Sequence, residues 1–195
     1  MAMILGLTGG MGCGKSTAAR FFVASGFRLL DSDQIVRDDL LCRPDVVAAI
    51  ADRWPEAVDP SGRVRRPVLA GQVFADDADR LWLENLLHPR LHDRWREALA
   101  ADPAARWVFE VPLLFEKKLE NWFDFTICVA TTSANQIARL TERGLPQALA
   151  EQRISKQLSL AKKIELADFV LCNDGTAAAL QRQVLRLVAE LAVNR

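Results

Sequence analysis

Residues 9–16 read Gly-Gly-Met-Gly-Cys-Gly-Lys-Ser. This fits the phosphate-loop pattern G-x-x-x-x-G-K-[ST], with Gly9, Gly14, Lys15 and Ser16 at the defining positions. Glycines let the backbone curl so that successive N–H groups point inward at phosphate oxygens, and Gly10 and Gly12 loosen the loop further. Lys15 brings a point charge toward β- and γ-phosphates. The Ser16 hydroxyl can ligate Mg²⁺, and Thr17 supplies a further hydroxyl. The helix expected from about Gly14 adds its positive N-terminal end.

The flanks suit the motif. Met3-Ile4-Leu5-Gly6-Leu7 is a short apolar run, as expected of a buried parallel strand. From Ser16 to Ala24 apolar residues recur at helical spacing, and Gly26 is placed to end the helix. Further apolar runs occur at Arg28-Leu29-Leu30, Trp107-Val108-Phe109, Phe125–Ala130 and Phe169–Cys172. Five short strands alternating with helices predict an α/β fold, a P-loop type with a five-stranded parallel sheet flanked by helices. Ligands of such sheets bind beyond the carboxyl ends of the strands. The polar groups cluster there: the loop, Asp31 and Asp33, Glu110, and Asn173-Asp174-Gly175.

Two segments interrupt the alternation. Residues 35–104 show helical periodicity broken by Pro44, Pro55, Pro60, Pro67 and Pro89 and read as a helical substrate-binding insertion. Residues 139–163 hold Arg139, Arg143, Arg153, Lys156, Lys162 and Lys163 around Gly144 and Pro146 and read as a lid. The nucleotide-binding core is then 1–34, 105–138 and 164–195, closing with an amphipathic helix from Thr176 to about Val193, and the whole is one domain.

Lys plus Arg and Asp plus Glu number 25 each, so no basic field points to nucleic acid. No apolar run reaches the roughly 18 residues of a membrane helix, and no signal peptide is visible. The cysteines Cys13, Cys42, Cys128 and Cys172 form no C-x-x-C pair, which fits a reducing, cytoplasmic setting. Cys128 and Cys172 read as small core residues. Cys13, beside Lys15 and a helix start, is expected to favour a thiolate and to react with thiol reagents unless it is folded under the loop.

Asp31 and Asp33 are read as ending the second strand, with i and i+2 on one side beside the loop. Phosphoryl transfer to an alcohol needs one carboxylate to accept the hydroxyl proton and another near the metal. Asp33 is the expected base and Asp31, with Ser16, the expected metal supporter; a capping turn is the alternative for either. Arg139 and Arg143, four apart on one helix face, are placed to clamp transferring phosphates. His88, before Pro89, reads as a helix-end residue. Trp82 and Trp95 suit an apolar wall of the insertion.

Taken together these residues resemble the dephospho-CoA kinases. The resemblance runs through Gly6-Leu7-Thr8-Gly9-Gly10-Met11-Gly12 and Gly14-Lys15-Ser16-Thr17, Asp31-x-Asp33, Arg66 before Leu69, and Val73-Phe74. It continues through Leu83-Glu84 with His88-Pro89, Pro112-Leu113-Leu114-Phe115-Glu116, Gln136-Ile137-x-Arg139-Leu140-x-x-Arg143, Arg153-Ile154-x-x-Gln157, and Ala167-Asp168 with Asn173-x-Gly175. It implies transfer of the ATP γ-phosphoryl to the ribose 3′-hydroxyl of dephospho-CoA, by a monomer or weak homo-oligomer using Mg²⁺. It also implies a catalytic set of Lys15, Asp33 and Arg139, and ATP-binding residues Gly10, Gly12, Cys13, Gly14, Lys15, Ser16, Thr17, Arg139, Asn173 and Gly175. Thr8, Asp33, His88 and Leu113 would then meet the acceptor. The sequence departs from the family pattern at Glu110 (usually Asp), at Cys13 (usually Ser or Ala) and at Gly144, where an acidic residue usually follows the second arginine.

Two other readings share parts of this pattern. A shikimate- or gluconate-type kinase would share the loop and Asp31-x-Asp33 but not the large insertion or the Pro112–Glu116 segment. A nucleotide switch would share the loop alone, and a guanine-reading Asn-Lys-x-Asp is missing from the sequence.

Overall fold

The computed structural model describes residues 3–193. Along the chain run β1 (Ile4–Gly9), α1 (Lys15–Ala24), β2 (Arg28–Asp31), α2 (Ser32–Asp38), α3 (Pro44–Arg53), α4 (Arg66–Ala75) and α5 (Asp77–Ala101). Then come β3 (Trp107–Glu110), β4 (Phe125–Ala130), α6 (Ser133–Glu142), α7 (Gln147–Ser155), α8 (Leu160–Leu166), β5 (Phe169–Cys172) and α9 (Ala177–Val193). The chain divides into two compact units. One comprises the described residues up to Asp31 and from Pro103 on; the other is Ser32–Asp102.

The first unit is built on five parallel strands in the order β2-β3-β1-β4-β5. From β1 the chain goes to one side for β2 and β3 and to the other for β4 and β5. β1 therefore marks the reversal beside which α/β sheets open a ligand crevice. Leu5 and Leu7 of β1 point into a core shared with Phe22 of α1 and Leu180, Val184, Leu187 and Leu191 of α9. On the opposite face Gly6 leaves room for Phe123 and Leu114. Both faces of β1, β3 and β4 are covered, so these strands read as near-continuous apolar runs, whereas the edge strands β2 and β5 leave Leu29 and Val170 exposed. Burying a side chain such as Phe22 contributes about 1.5–3 kcal/mol.

The exit from α1 fixes how the chain returns to β2. Gly26 adopts φ 87°. Its N–H donates to the Val23 carbonyl at 3.0 Å and the Phe27 N–H to the Phe22 carbonyl at 3.1 Å. This 6→1 and 5→2 pair is a Schellman motif, and it needs a left-handed residue at the glycine. Phe27 then meets Phe22 edge to face with ring centroids 5.6 Å apart.

In the Ser32–Asp102 unit, Trp95 of α5 is fully buried with Val46 and Ile50 of α3. Trp95 thus belongs to the core of this unit and not to an open wall. Trp54 and Trp82 meet edge to face at 5.1 Å, with the Arg53 guanidinium over both rings. Asp76 caps α5, accepting from the Ala78 N–H at 2.6 Å. The helix then runs for 25 residues straight through His88-Pro89. The expectation of a helix end at His88 is therefore corrected. A proline inside a helix disturbs the carbonyls one turn back. Here the Arg90 guanidinium donates to the Leu86 carbonyl at 2.6 Å, and buried Leu87 and Leu91 on either side of the proline hold the helix to its neighbours.

Candidate active site

The loop between β1 and α1 is held open by its neighbours. Gly14 adopts φ 94°, a left-handed conformation that starts α1 without a side-chain cap. Behind it, the Asn173 side chain donates to the Cys13 carbonyl at 2.8 Å. Gln136, buried on α6, donates to the Met11 carbonyl at 2.8 Å. Gln157 accepts from the Met11 N–H at 3.2 Å. Two glutamines and an asparagine thus occupy backbone groups on the outer side of the loop.

Lys15 is buried, and its ammonium donates to the carbonyls of Gly9 and Gly10, each at 3.2 Å. These bonds are already charge-assisted on the donor side, and phosphate oxygens in place of the carbonyls would add the opposite charge and make ion pairs of them. Ser16, the next residue, donates through its hydroxyl to Glu110 Oε1 at 3.1 Å. Glu110 ends β3 and is almost fully buried. Lys15, Ser16, Thr17 and Glu110 line a cavity of about 50 Å³ with Gly12, Gly14 and Arg143.

Asp31 is the register partner of Glu110 on the adjacent strand, so both carboxylates leave the carboxyl end of the sheet. Asp33 does not share that strand. β2 ends at Asp31, α2 begins at Ser32, and Asp33 stands in the first turn of α2. The i, i+2 argument from strand alternation therefore fails for Asp33, whose direction is set by helical geometry. The carboxylate bonded to Ser16 is that of Glu110, which the motif reading of the metal ligands left out.

Arg139 and Arg143 also differ from expectation. Arg139 Nη2 donates to the Asn173 carbonyl at 2.7 Å and Nη1 to the Gly12 carbonyl at 3.4 Å, while Arg143 is the arginine that lines the cavity. Arg139 thus ties the loop to the segment after β5, where Gly175 is exposed. Asp174 beside it is held well below the usual carboxylate range by bonds from the Thr131 hydroxyl and the Thr132 N–H.

Of the remaining predicted residues, Thr8 is fully buried and its hydroxyl donates to the Pro112 carbonyl at 3.2 Å. Leu113 follows that carbonyl and is half-buried. The same carbonyl accepts from Lys163 at 2.7 Å. Lys163 is fully buried and pairs with Glu116 at 2.8 Å, and Glu116 Oε1 also accepts from the Leu158 N–H at 3.0 Å. Lys163, counted from sequence among the basic residues of the lid, is an internal anchor. His88 lies in the other unit, stacked with His92 at 6.3 Å.

Cys13 departs from its expected chemistry. It is fully buried in the apolar core, and desolvation pushes its thiol up despite the opposing charge of Lys15. Burial likewise pushes Cys128 up to about 12. Cys172 is exposed, not core, and its thiol donates to Asp174 at 3.2 Å. Native protein treated with an aromatic disulfide reagent should therefore release colour quickly from Cys42 and Cys172 only. Cys13 and Cys128 should react on unfolding, and ATP should change neither. Fast labelling of Cys13, read by peptide mass, would contradict its burial.

The parallel sheet order, the glycine loop opening on α1 and the Ser16–Glu110 pair at the strand ends define a P-loop kinase fold. The family model described as dephospho-CoA kinase matches residues 3–179. A dephospho-CoA kinase from Nostoc sp. is 36% identical over 184 residues, covering 93% of this chain and 94% of its own. A Thermus thermophilus protein of known structure superposes with a TM-score of 0.86 at 32% identity, covering 97% of this chain and 98% of its own. A dephospho-CoA kinase from Campylobacter jejuni shares the fold at a TM-score of 0.72 and 23% identity, over 100% of this chain and 99% of its own. This chain belongs to the dephospho-CoA kinase family.

Proposed function

We propose that this protein transfers the γ-phosphoryl group of ATP to the ribose 3′-hydroxyl of dephospho-CoA, giving coenzyme A. The observation that carries the site reading is the convergence of Lys15 and the Ser16–Glu110 pair on one phosphate loop, in a chain of this family.

Phosphoryl transfer spreads charge over the equatorial oxygens, so catalysis is mostly positioning and electrostatic stabilisation. Backbone N–H groups of the loop line the phosphates, apart from those of Met11, Cys13 and Thr17, which are held by Gln157, Gly10 and Gly14, and Lys15 neutralises charge at the β- and γ-oxygens. Mg²⁺ takes hard oxygen ligands and keeps several from phosphate and water. The Ser16 hydroxyl and Glu110 carboxylate, 3.1 Å apart, fit it, with Asp31 on the adjacent strand. Among the described residues no cluster of three or more His, Cys, Asp or Glu could hold a metal ion by itself, which suits an ion that arrives with the nucleotide. The Ser16 hydroxyl and the Glu110 carboxylate would hold the ion, which would supply charge neutralisation at the phosphates. Arg143, which lines the loop cavity together with Lys15, would meet the transferring phosphoryl group, and Arg139 supports the loop from the side where Asn173 and Gly175 border the adenine. Asp33 accepts the proton of the acceptor hydroxyl. His88 and Leu113 contact the acceptor, and Thr8 acts by holding the Pro112 carbonyl that precedes Leu113. We read the enzyme as cytoplasmic, on its free thiols, and as a monomer or weak homo-oligomer that binds no nucleic acid. Among the described residues no helix is long and apolar enough to cross a membrane.

The test is incubation with ATP, Mg²⁺ and single acceptors, read by mass spectrometry. Dephospho-CoA should gain one phosphoryl group at the ribose, and shikimate and gluconate none. ATP hydrolysis independent of acceptor, or transfer to either acid instead, would overturn the proposal.

A further inference from the structure

Lys163 carries a charge that the reaction described above does not use, and it is fully buried. Its ammonium donates to Glu116 Oε1 at 2.8 Å and to the Pro112 carbonyl at 2.7 Å. Glu116 Oε1 also takes the Leu158 N–H at 3.0 Å. The other carboxylate oxygen, Oε2, is buried and has no hydrogen-bond partner among the described residues. The penalty for taking two charges out of water offsets most of their attraction, and an uncharged pair of similar size is often as stable. A half-satisfied carboxylate weakens the case for stability further. The ion pair alone therefore does not account for a lysine at this place.

The second contact of the ammonium does. Pro112 lacks a backbone N–H, so its carbonyl is the one backbone polar group it offers. A carbonyl oxygen has two lone pairs, and two donors reach this one: the Thr8 hydroxyl from β1 at 3.2 Å and Lys163 from α8 at 2.7 Å. Of the two, the charged donor is the stronger. Donors on two different elements fix the plane of the Pro112–Leu113 peptide. That peptide lies just beyond β3, two residues after Glu110. The far side of the turn is held separately. Leu114 and Phe115 are buried, and the Leu114 carbonyl accepts from the Leu119 N–H at 3.0 Å. Half-buried Leu113 stands between these two supports, so its direction depends on both.

We propose that Lys163 is a positioning residue for acceptor binding. With Thr8 it holds the Pro112 carbonyl, so that Leu113 meets the acceptor in one fixed direction. Glu116 is the counter-ion that lets a buried ammonium serve there. The inference rests on the reading of dephospho-CoA as acceptor with Leu113 against it.

The experiment compares wild type with Lys163→Met/Glu116→Gln, Glu116→Gln, Thr8→Val and the triple variant. The double substitution leaves no unpaired charge in the interior and keeps an oxygen for the Leu158 N–H. It should therefore melt within a few degrees of wild type. Steady-state kinetics give KM for each substrate. In the double variant KM for dephospho-CoA should rise roughly tenfold, within the range for a small misplacement of a positioning group. KM for ATP should stay within about twofold, the scatter of changes away from a site. Glu116→Gln alone keeps Lys163 on Pro112, and its KM for dephospho-CoA should stay near wild type. Thr8→Val should raise the same KM. In the triple variant the rise should differ from the product of the two separate rises by more than about threefold, because groups sharing one partner do not add.

An unchanged KM for dephospho-CoA in the double variant, an equal rise for ATP, an equal rise in Glu116→Gln, or a triple variant that matches the product would overturn the inference. So would loss of the fold in the double variant, which would make Lys163 a residue of stability. Should wild type fail to phosphorylate dephospho-CoA at all, it is the acceptor reading that fails; normal turnover with an indifferent double variant rejects the positioning role alone.

Discussion

Lys15→Ala is expected to lower kcat by roughly 10² or more, the range for losing one preorganised electrostatic contact to the transition state. The ammonium sits on the carbonyls of Gly9 and Gly10, within the loop that must hold the phosphates. On the proposed reaction, negative charge grows on the phosphate oxygens this loop would hold. The ground state gains less from the ammonium, so kcat should fall further than the affinity for ATP. Alanine also frees two loop carbonyls, and Lys15→Met separates the two effects by keeping the stem without the charge. Both variants should melt near wild type and both should be inactive. Retention of more than about a tenth of wild-type kcat, an effect below roughly 1.4 kcal/mol, would show that Lys15 does not serve the transition state.

Asp33→Asn is expected to cut kcat by roughly 10² to 10⁴, the contribution of a positioned general base. The substitution keeps size and removes only the proton acceptor. Nucleotide affinity should change little. Because Asp33 stands at the start of α2 and not on the strand with Asp31, the two carboxylates are set by different elements and should separate cleanly in function. Asp31→Asn should raise the Mg²⁺ concentration giving half-maximal rate, with partial rescue by added Mg²⁺. Glu110→Gln should show the same pattern more strongly, since Glu110 is the carboxylate bonded to Ser16. Mg²⁺ rescue of Asp33→Asn alone would mean the roles are reversed. Near-normal rates in both aspartate variants would leave Glu110 as the chemical carboxylate.

The central strands were legible because each is a short apolar run buried on both faces, and the edge strands β2 and β5 because Leu30 and Leu171 still face the core. The phosphate loop was legible because its chemistry permits few residue types. What failed did so where tertiary contacts decide. Asp31-Ser32-Asp33 looks like a continuing strand, and only the structure shows that α2 starts at Ser32. Pro89 signals a break locally, yet α5 passes through it because its neighbours hold it. Cys13 has the electrostatic neighbours of a reactive thiol, but the core has already claimed it. Gln136 and Gln157 look like ordinary polar positions on helices. Their service to Met11 depends on contacts more than a hundred residues distant in sequence, which no local pattern reports.

The Lys163–Glu116 anchor divides the basic segment into parts of unequal persistence. Consecutive residues just before α8 are tied down, Gln157 to the phosphate loop and Leu158 to Glu116, and Lys163 is buried one turn further on. α7, immediately before them, buries only Ala150. Detaching α7 exposes little apolar surface, whereas detaching α8 uncovers a charged pair. Backbone amides of α7 should therefore trade their protons for deuterons through local opening, while those around Lys163 should wait for unfolding of the whole sheet unit. Equal protection across Gln147–Leu166 would show that the segment opens as one piece. On the unequal pattern, α7 with Arg153 opens separately from α8, while the Gln157–Met11 bond stays with the anchored root.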